Sequence, residues 1–336
     1  MAEAVIHFPG LLGQERICRQ LSFEVKNNRL AHAYLLIGAK GSGRGMVAIT
    51  LFMALNCEKR HSQPAPCMVC PSCVRARKGQ HENLIVLQPP HDQLSAQIKV
   101  EDLREALRAT SFPPMNNGYR LIFIREAEQL NPASANALLK TLEEPPARNL
   151  IMLSVQDTAG LLPTLVSRCR RLNLQPLASD IMLKALHENG CPQAEARVAL
   201  SGGSLGLALE LEPEQLQDVL QDLLRQLDKV NTLDSWWAVA QELVGQFRGK
   251  ERLDRQGLVG LLGLLAQYYR DQAVAAAGRG HMALLPQLGK VGMAAALACF
   301  NQVRLCQNRL LANAQPELTL TMLLSFLAET QHEEFA

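Results

Sequence analysis

Four cysteines cluster in the first quarter of the chain, at Cys57, Cys67, Cys70 and Cys73. Four thiolates can close a tetrahedral shell around zinc, and such a site has no open position for a substrate, which favours a structural role. Pro66 and Pro71 lie between them and favour tight turns. The spacing predicts a structural zinc site, with unrelated thiols or a redox pair as alternatives. We expect this segment to bury little beyond its metal. His61 could replace one ligand, although a lone surface histidine is the simpler description.

A glycine-rich segment lies between an apolar run and a helical stretch, with the sequence Gly38-Ala39-Lys40-Gly41-Ser42-Gly43-Arg44-Gly45. A phosphate-binding loop needs glycines for close backbone approach, a lysine for the outer phosphates and a hydroxyl that binds magnesium. Gly38 and Gly43 keep the glycine frame, but Arg44 takes the lysine position and Gly45 the hydroxyl position. The pattern predicts a degenerate loop that binds ATP or ADP weakly or not at all. A glycine-rich turn without function is the alternative.

A second apolar run, Leu121–Ile124, is followed by Arg125-Glu126-Ala127-Glu128. A nucleotide hydrolase needs an acidic residue at the end of such a strand to hold magnesium and orient water. Arg125 stands where the first acid should be, so a second magnesium position is lost independently of the first. Glu126 and Glu128 are either remaining acids of that site or solvated charges at a helix start. The two losses predict that the chain alone is not an ATPase.

The elements that must position these residues alternate between apolar runs of strand length and helical stretches, which is typical of a parallel sheet covered by helices. The expected strands are Tyr34–Ile37, Leu84–Leu87, Leu121–Ile124, Leu150–Val155 and one around Leu172–Leu174. Pro132–Glu144 is predicted as a helix because Asn131 is a good N-cap and Pro145-Pro146 follow its end. After about residue 175, apolar positions recur at helical spacing, so the remaining chain is predicted to be helical.

Composition limits the classes of function. With 336 residues, 48% of them hydrophobic, the chain can form two or three domains, and we expect boundaries near residues 175 and 211. The net charge of +2 does not favour strong sequence-independent binding of nucleic acid. Because no long apolar run or secretion signal is visible, a cytoplasmic protein without a membrane span is expected.

Ser167-Arg168-Cys169 follows an amphipathic turn, Leu161–Val166. Taken alone, Arg168 is best explained as a surface or salt-bridge arginine. Several segments, however, resemble the clamp-loader branch of the AAA+ proteins, across about residues 8–210. The resemblance rests on Phe8–Glu15, on Ala31–Tyr34 before the glycine loop, on the four-cysteine insertion and on Asn136–Pro146, the most specific string (NALLKTLEEPP).

The resemblance implies an α/β AAA+ domain with a RecA-like parallel sheet over residues 1–174, carrying an inserted zinc module at about 57–78. It also implies a small helical lid domain over 175–211 and an all-α collar domain over 212–336. The collar of this family joins five subunits in a ring.

The same resemblance implies roles for several residues. Ser167-Arg168-Cys169 matches the motif whose arginine enters the ATP site of the adjacent subunit as a trans arginine finger. Ser154 matches a polar sensor position of the family. A second sensor usually supplies an arginine after Gly-Ser-x, but here Gly203-Ser204-Leu205 is followed by Gly206.

A subunit that keeps the finger and lacks the ATPase residues is implied to be a non-hydrolysing part of the DNA polymerase III holoenzyme. Its partners would be gamma/tau-type ATPase subunits and a delta subunit in the ring, with the beta sliding clamp and primed DNA bound through the complex. Its place would be the bacterial cytoplasm, at the replisome. The alternative is a divergent gamma/tau-type loader ATPase that tolerates Arg44, since backbone N–H groups at a helix start can still bind phosphate.

Overall fold

The computed structural model describes residues 6–89, 98–210, 213–227, 232–248, 253, 255–277, 291–311 and 314–333. The chain forms two compact units, Met1–Ile181 and Met182–Ala336. The first contains a five-stranded sheet. Among the described residues of the second, the regular elements are all α-helices.

All five strands of the first unit run parallel, in the spatial order β2-β3-β4-β1-β5. They are β1 Ala33–Ile37, β2 Leu84–Leu87, β3 Arg120–Ile124, β4 Asn149–Val155 and β5 Arg170–Asn173. The predicted strands are confirmed, with ends that differ by at most two residues. Because the strands are parallel, the segments that follow β1, β3 and β4 leave the sheet at the same edge, where ligands of open α/β sheets bind.

Helices cover both faces of the sheet. They are α1 Glu15–Lys26, α2 Arg44–Asn56, α3 Pro71–Arg77, α4 Val100–Ala109, α5 Pro132–Glu143 and α6 Pro163–Arg168, with short 3-10 turns at Met115–Asn117 and Ala127–Gln129. Successive side chains of a strand point to opposite faces. Tyr34 and Leu36 of β1 are therefore buried with α1 and α2, whereas Leu35 is buried with α4 and α5. The result is a three-layer α/β unit, as predicted.

Helix α5 begins where the sequence predicts and ends one residue earlier, at Glu143. The Asn131 side chain accepts a hydrogen bond from the backbone N–H of Ser134 at 2.8 Å, and Pro132 occupies the first turn, where a missing N–H costs nothing. Pro145-Pro146 follow and prevent the helix from continuing. Glu143 is thereby placed at the exposed end of α5.

Eight helices follow the sheet within the described residues. They are α7 Ser179–Glu188, α8 Ala194–Leu200, α9 Leu205–Glu210, α10 Pro213–Leu227, α11 Leu233–Gln246, α12 Arg255–Ala276, α13 Met293–Leu311 and α14 Pro316–Glu333. Leucines of α10, α12, α13 and α14 form one core with Trp236 and Tyr269. The predicted helical character beyond residue 175 is confirmed for this part of the chain.

The division between the two units falls in the sequence of α7, between Ile181 and Met182, a few residues beyond the predicted boundary near 175. The second expected boundary, near 211, falls on residues 211–212, which lie outside the described residues. The division into sheet domain, lid and collar therefore stays a prediction. Among the described helices, none has the length and hydrophobicity needed to cross a membrane.

Candidate functional sites

The glycine loop connects the end of β1 to the start of α2, the strand-loop-helix order of a phosphate-binding loop. Gly43 precedes α2 with a φ of 96°, a left-handed conformation that favours glycine. A Cβ at this position would lie only 2.9 Å from Cδ1 of Leu11, so the N-terminal segment closes against the loop. Gly43 is therefore required by both the backbone conformation and the packing.

Arg44, at the lysine position, is 8% exposed and points into the protein. Its Nη1 atom has no hydrogen-bond partner among the described residues. Burial lowers the pKa of the guanidinium, while the carboxylates of Glu128 and Glu126 act to raise it. Arg44 is thus held in the electrostatic field of the two acids that follow β3, and its buried position differs from that of a lysine free to reach an outer phosphate.

Glu128 is the more enclosed of these two acids. Burial raises its pKa, against the effect of backbone hydrogen bonds and of Arg44. Its Oε1 accepts a hydrogen bond from the backbone N–H of Gln156 at 3.4 Å, in the segment that follows β4. The charges of both acids therefore act on Arg44, and whether the two acids are remaining acids of a metal site or solvated charges stays open.

Arg125 lies beside Gly45, the residue at the position where a phosphate-binding loop has its magnesium-binding hydroxyl. Its Nη2 atom is 3.7 Å from the position that a Cβ of Gly45 would occupy. The guanidinium is 5.5 Å from the centre of the Phe123 ring, and Nη1 donates to Oε1 of Gln88 at 3.3 Å. A cation at this place repels a divalent metal, and neither position offers the oxygen ligands that magnesium prefers. Gly45 and Arg125, the two positions at which the sequence lacks a magnesium ligand, therefore lie next to each other.

Ser154 is 4% exposed within β4 and pairs in register with Leu36 of β1. It therefore lies near the same edge of the sheet as the glycine loop. The other predicted sensor segment, Gly203-Ser204-Leu205-Gly206, belongs to the second unit and includes the start of α9. Its role stays a prediction.

The four predicted cysteines converge. Their Sγ atoms all lie within 4.8 Å of one another. With metal–sulfur distances of about 2.3 Å, a tetrahedral site would have sulfur–sulfur separations of about 3.8 Å, so a small adjustment suffices to bind a metal ion. Cys57 ends α2 and Cys70 is the N-cap of α3, accepting a hydrogen bond from the backbone N–H of Cys73 at 3.4 Å. The structure supports a metal site at this cluster.

The thiols of this cluster differ in acidity. Burial acts to raise the pKa of Cys67, but hydrogen bonds from the backbone N–H groups of Val69 and Cys70 and from neighbouring thiols outweigh it and lower the pKa to about 6. Burial raises the pKa of Cys57, and burial together with the Cys70 sulfur raises that of Cys73. The Cys67 thiolate therefore forms readily, whereas burial opposes ionisation of Cys57 and Cys73. A bound cation is what would allow all four to be thiolates.

The cysteine segment is not the nearly independent insertion that the sequence suggested. Cys57, Cys70 and Cys73 belong to the same apolar core as Phe52 of α2 and Leu121 of β3. Within this segment Ala65 and Ala76 are also buried, each 1% exposed. The expectation that the segment buries little beyond its own metal is therefore wrong, because α3 packs directly on α2.

Ser167-Arg168-Cys169 spans the end of α6. The Ser167 hydroxyl donates to the backbone oxygen of Thr164 at 3.0 Å. Cys169 is 8% exposed, and burial raises its pKa to about 12, so its thiol is a core group. Arg168 reaches the surface, where Nη2 lies 2.8 Å from Oε1 of Glu143 and Nη1 donates to the oxygen of Thr164 at 3.1 Å. Of the three residues, Arg168 carries the charge available to a partner.

Two carboxylates, one bound to Arg168 and one bound to Arg170 just beyond the motif, were not found from the sequence. Glu143 was part of a recognised string, but its contact with Arg168 depends on how α5 meets α6. Glu24 of α1 is 3% exposed, accepts a hydrogen bond from the Tyr34 hydroxyl and lies 2.6 Å from Nη1 of Arg170. Arg170 is therefore tied to a buried carboxylate two residues beyond Arg168, which fixes the backbone on that side of the motif.

Comparisons with known proteins find similar sequences for the first half of the chain. Residues 13–178 match the family model described as DNA polymerase III, delta subunit. The tau subunit of DNA polymerase III from Salmonella typhimurium is 35% identical over 170 residues, which cover 51% of this chain and 26% of the relative. The delta' subunit from Bacillus subtilis is 34% identical over 186 residues, which cover 55% of this chain and 54% of the relative. Over residues 13–178, just under half of the chain, the sequence is similar to subunits of DNA polymerase III.

The matches span about a quarter of the length of the first of these relatives and about half of the second. In structural comparison, a DNA polymerase III gamma subunit-related protein from Thermotoga maritima aligns over 93% of this chain and 99% of its own, with 18% identity and a TM-score of 0.45. The similarity to DNA polymerase III subunits rests on the sequence matches.

Proposed function

We propose that this chain is the delta-prime subunit of the DNA polymerase III clamp loader. In this role it does not hydrolyse ATP and presents Arg168 to the ATP site of a neighbouring ATPase subunit. The observation that carries the proposal is the position of the Arg125 guanidinium beside Gly45, together with Arg44 at the lysine position. Both changes remove parts that ATP hydrolysis needs, whereas the Ser-Arg-Cys motif is kept.

The choice within the family depends on these changes, because relatives named tau and delta' match at similar identity. A tau- or gamma-type ATPase requires the loop lysine, the magnesium-binding hydroxyl and the acid after β3. A delta subunit, by the resemblance, is expected to lack the four-cysteine segment and the Ser-Arg-Cys motif. A delta-prime subunit is expected both to lack the ATPase residues and to keep the four-cysteine segment and the Ser-Arg-Cys motif, as this chain does.

Arg168 is the residue through which the chain would act. A guanidinium placed at a transferring phosphoryl group stabilises the charge that develops there, an effect of about 10³ to 10⁵ in rate for other nucleotide hydrolases. The partners proposed are gamma/tau-type ATPase subunits and a delta subunit in a five-subunit ring. The sliding clamp and primed DNA would be bound through the complete assembly.

Zinc is proposed as the structural cofactor, bound by Cys57, Cys67, Cys70 and Cys73. When bound, it would supply a positive charge that keeps the four thiols ionised and holds α3 against α2. ATP or ADP is proposed to bind weakly at most. The alternative, a divergent loader ATPase, is supported by the match to tau subunits and by the N-terminal end of α2, whose backbone N–H groups can bind phosphate.

ATP turnover by the purified chain separates the two functions. We expect no hydrolysis above background with ATP and magnesium. The double change Arg44→Lys and Gly45→Thr should also be inactive, because the Arg125 guanidinium still lies where the metal must bind. Adding Arg125→Asp to this pair restores the ligand types and is the matched comparison for magnesium-dependent nucleotide binding.

Turnover by the unmodified chain that requires magnesium would contradict the delta-prime proposal and favour the divergent ATPase. Activity in the double variant would show instead that Arg125 does not prevent metal binding. Nucleotide affinity, measured for all three proteins by equilibrium dialysis, distinguishes loss of binding from loss of chemistry.

A further inference from the structure

Arg168 is already bound within its own chain. Its two terminal nitrogens are used by Oε1 of Glu143, at 2.8 Å, and by the backbone oxygen of Thr164, at 3.1 Å. Glu143 ends α5 and Arg168 ends α6, so the contact joins two helix ends. The Arg168 side chain is 36% exposed and that of Glu143 is 52% exposed, which leaves the pair accessible to a docking surface.

This contact limits what the guanidinium can do. A guanidinium has five N–H donors, and two of these are used here. Its charge is balanced by the carboxylate, and the C-terminal end of α5 adds a partial negative charge that also favours a cation. Bringing the intact pair to a triphosphate would place Glu143 against phosphate oxygens, where like charges repel. Binding of phosphate by Arg168 therefore competes with its contact to Glu143.

We infer that Glu143 is an intramolecular competitor for Arg168, so that release of the arginine is favoured toward a neighbour whose site contains a triphosphate. The inference rests on the proposed finger role and adds a regulation of that same residue. A neighbour with ADP or an empty site lacks the γ-phosphate that the finger would contact, so Arg168 stays with Glu143. The exchange would make docking of the finger depend on the nucleotide of the adjacent subunit.

The size of the effect follows from the exposure of the pair. Exposed ion pairs change an equilibrium by about two- to fivefold. Glu144 is the next residue, is also exposed and differs in having no part in the contact with Arg168. Glu143→Gln and Glu144→Gln remove the same charge one position apart, so their difference isolates the contact.

The first measurement uses the isolated full-length chain and the arginine reagent phenylglyoxal, with modification of Arg168 followed by peptide mass spectrometry. Glu143→Gln is expected to speed modification of Arg168 by about two- to fivefold, whereas Glu144→Gln should react like the unmodified protein. An unchanged rate in Glu143→Gln would mean that Glu143 does not hold Arg168 in solution, and would overturn the inference.

The second measurement is the affinity of the chain for its cognate ATPase subunit, loaded with a non-hydrolysable ATP analogue or with ADP. Glu143→Gln should tighten docking to the ATP-analogue state about two- to fivefold and leave docking to the ADP state unchanged. In an Arg168→Ala background, Glu143→Gln should have no effect, because the competitor then has nothing to release. Weaker docking, or the same gain in that background, would overturn the exchange.

These results also separate this inference from the proposed function. If Arg168→Ala lowers loader hydrolysis while Glu143→Gln has no effect on docking, the finger role stands and the competitor role is wrong. If Arg168→Ala changes neither docking nor hydrolysis, the finger role itself is wrong and the inference fails with it.

Discussion

Arg168→Ala is expected to lower ATP hydrolysis by a reconstituted loader while fold, zinc content and ring assembly stay unchanged. At the one ATP site that receives this arginine, the rate should fall by about 10³ or more, because a phosphoryl group loses its charge partner in the transition state. Total turnover should fall only in part, since sites between ATPase subunits keep their own fingers. The measurement is clamp- and DNA-stimulated hydrolysis at equal ring occupancy.

Two further variants test the specificity of this effect. Arg168→Lys should rescue poorly, because an ammonium group lacks the planar fork that can contact two phosphate oxygens. Arg171→Ala is the matched control, an exposed arginine of β5 close in sequence but outside the motif. Arg170 is unsuitable for this purpose, because it is paired with the buried Glu24. Equal losses in the Arg168 and Arg171 variants would point to a general surface-charge effect.

Loss of the metal is the second change expected to have a large effect. Chain purified without added metal should contain about one zinc ion per molecule, and Cys70→Ser should abolish it. Structural zinc contributes about 10 kcal/mol or more to the folding of small zinc modules. If about a third of this value stabilises the larger sheet unit, loss of the metal would lower the Tm by about 10 °C. Because Cys70 shares a core with Phe52 of α2, the damage should extend to that face of the sheet.

Elemental analysis and thermal unfolding, with and without a chelator, measure this effect. Cys191→Ser is the control, a half-buried cysteine outside the cluster, and should change neither zinc content nor Tm appreciably. A metal-free protein with four titratable thiols at the cluster and an unchanged Tm would rule out the structural metal.

The strands, and the strand-loop-helix order around the glycine loop, were predictable because they depend on local patterns. Each strand is a short apolar run, and burial on both faces of a parallel sheet makes such runs continuous, as in the fully buried β4. The start of α5 was equally local, since Asn131 and Pro132 define it within one turn. The cysteine cluster was also predicted, because Cys67, Cys70 and Cys73 lie within two turns of chain.

Contacts between distant segments were not predictable from the sequence. Leu11 closes against Gly43, and Glu24 binds Arg170 across 146 positions, which no periodicity encodes. Arg125 and Gly45 lie far apart in the sequence, and their proximity depends on the sheet. The same holds for Glu143 and Arg168: the sequence suggested a surface or salt-bridge arginine, but only the meeting of α5 and α6 identifies the carboxylate that pairs with it.

The packing of the cysteine segment shows why spacing alone misled on one point. Metal-ligand spacing describes the ligands and says nothing of the residues between them. Ala65 and Ala76 are small side chains without a periodic pattern, yet they are 1% exposed because α3 lies on α2. The segment is therefore part of the sheet unit's core.

The proposed role is tested most directly in a loader in which only the ATPase subunit next to this chain keeps an intact phosphate loop. All other ATP sites are inactivated by substitution of their loop lysines, so every turnover comes from the one site that Arg168 would complete. With the unmodified chain this loader should hydrolyse ATP, and with Arg168→Ala the rate should fall by about 10³, to near background. Equal rates for the two proteins, at equal ring occupancy, would contradict the proposed function.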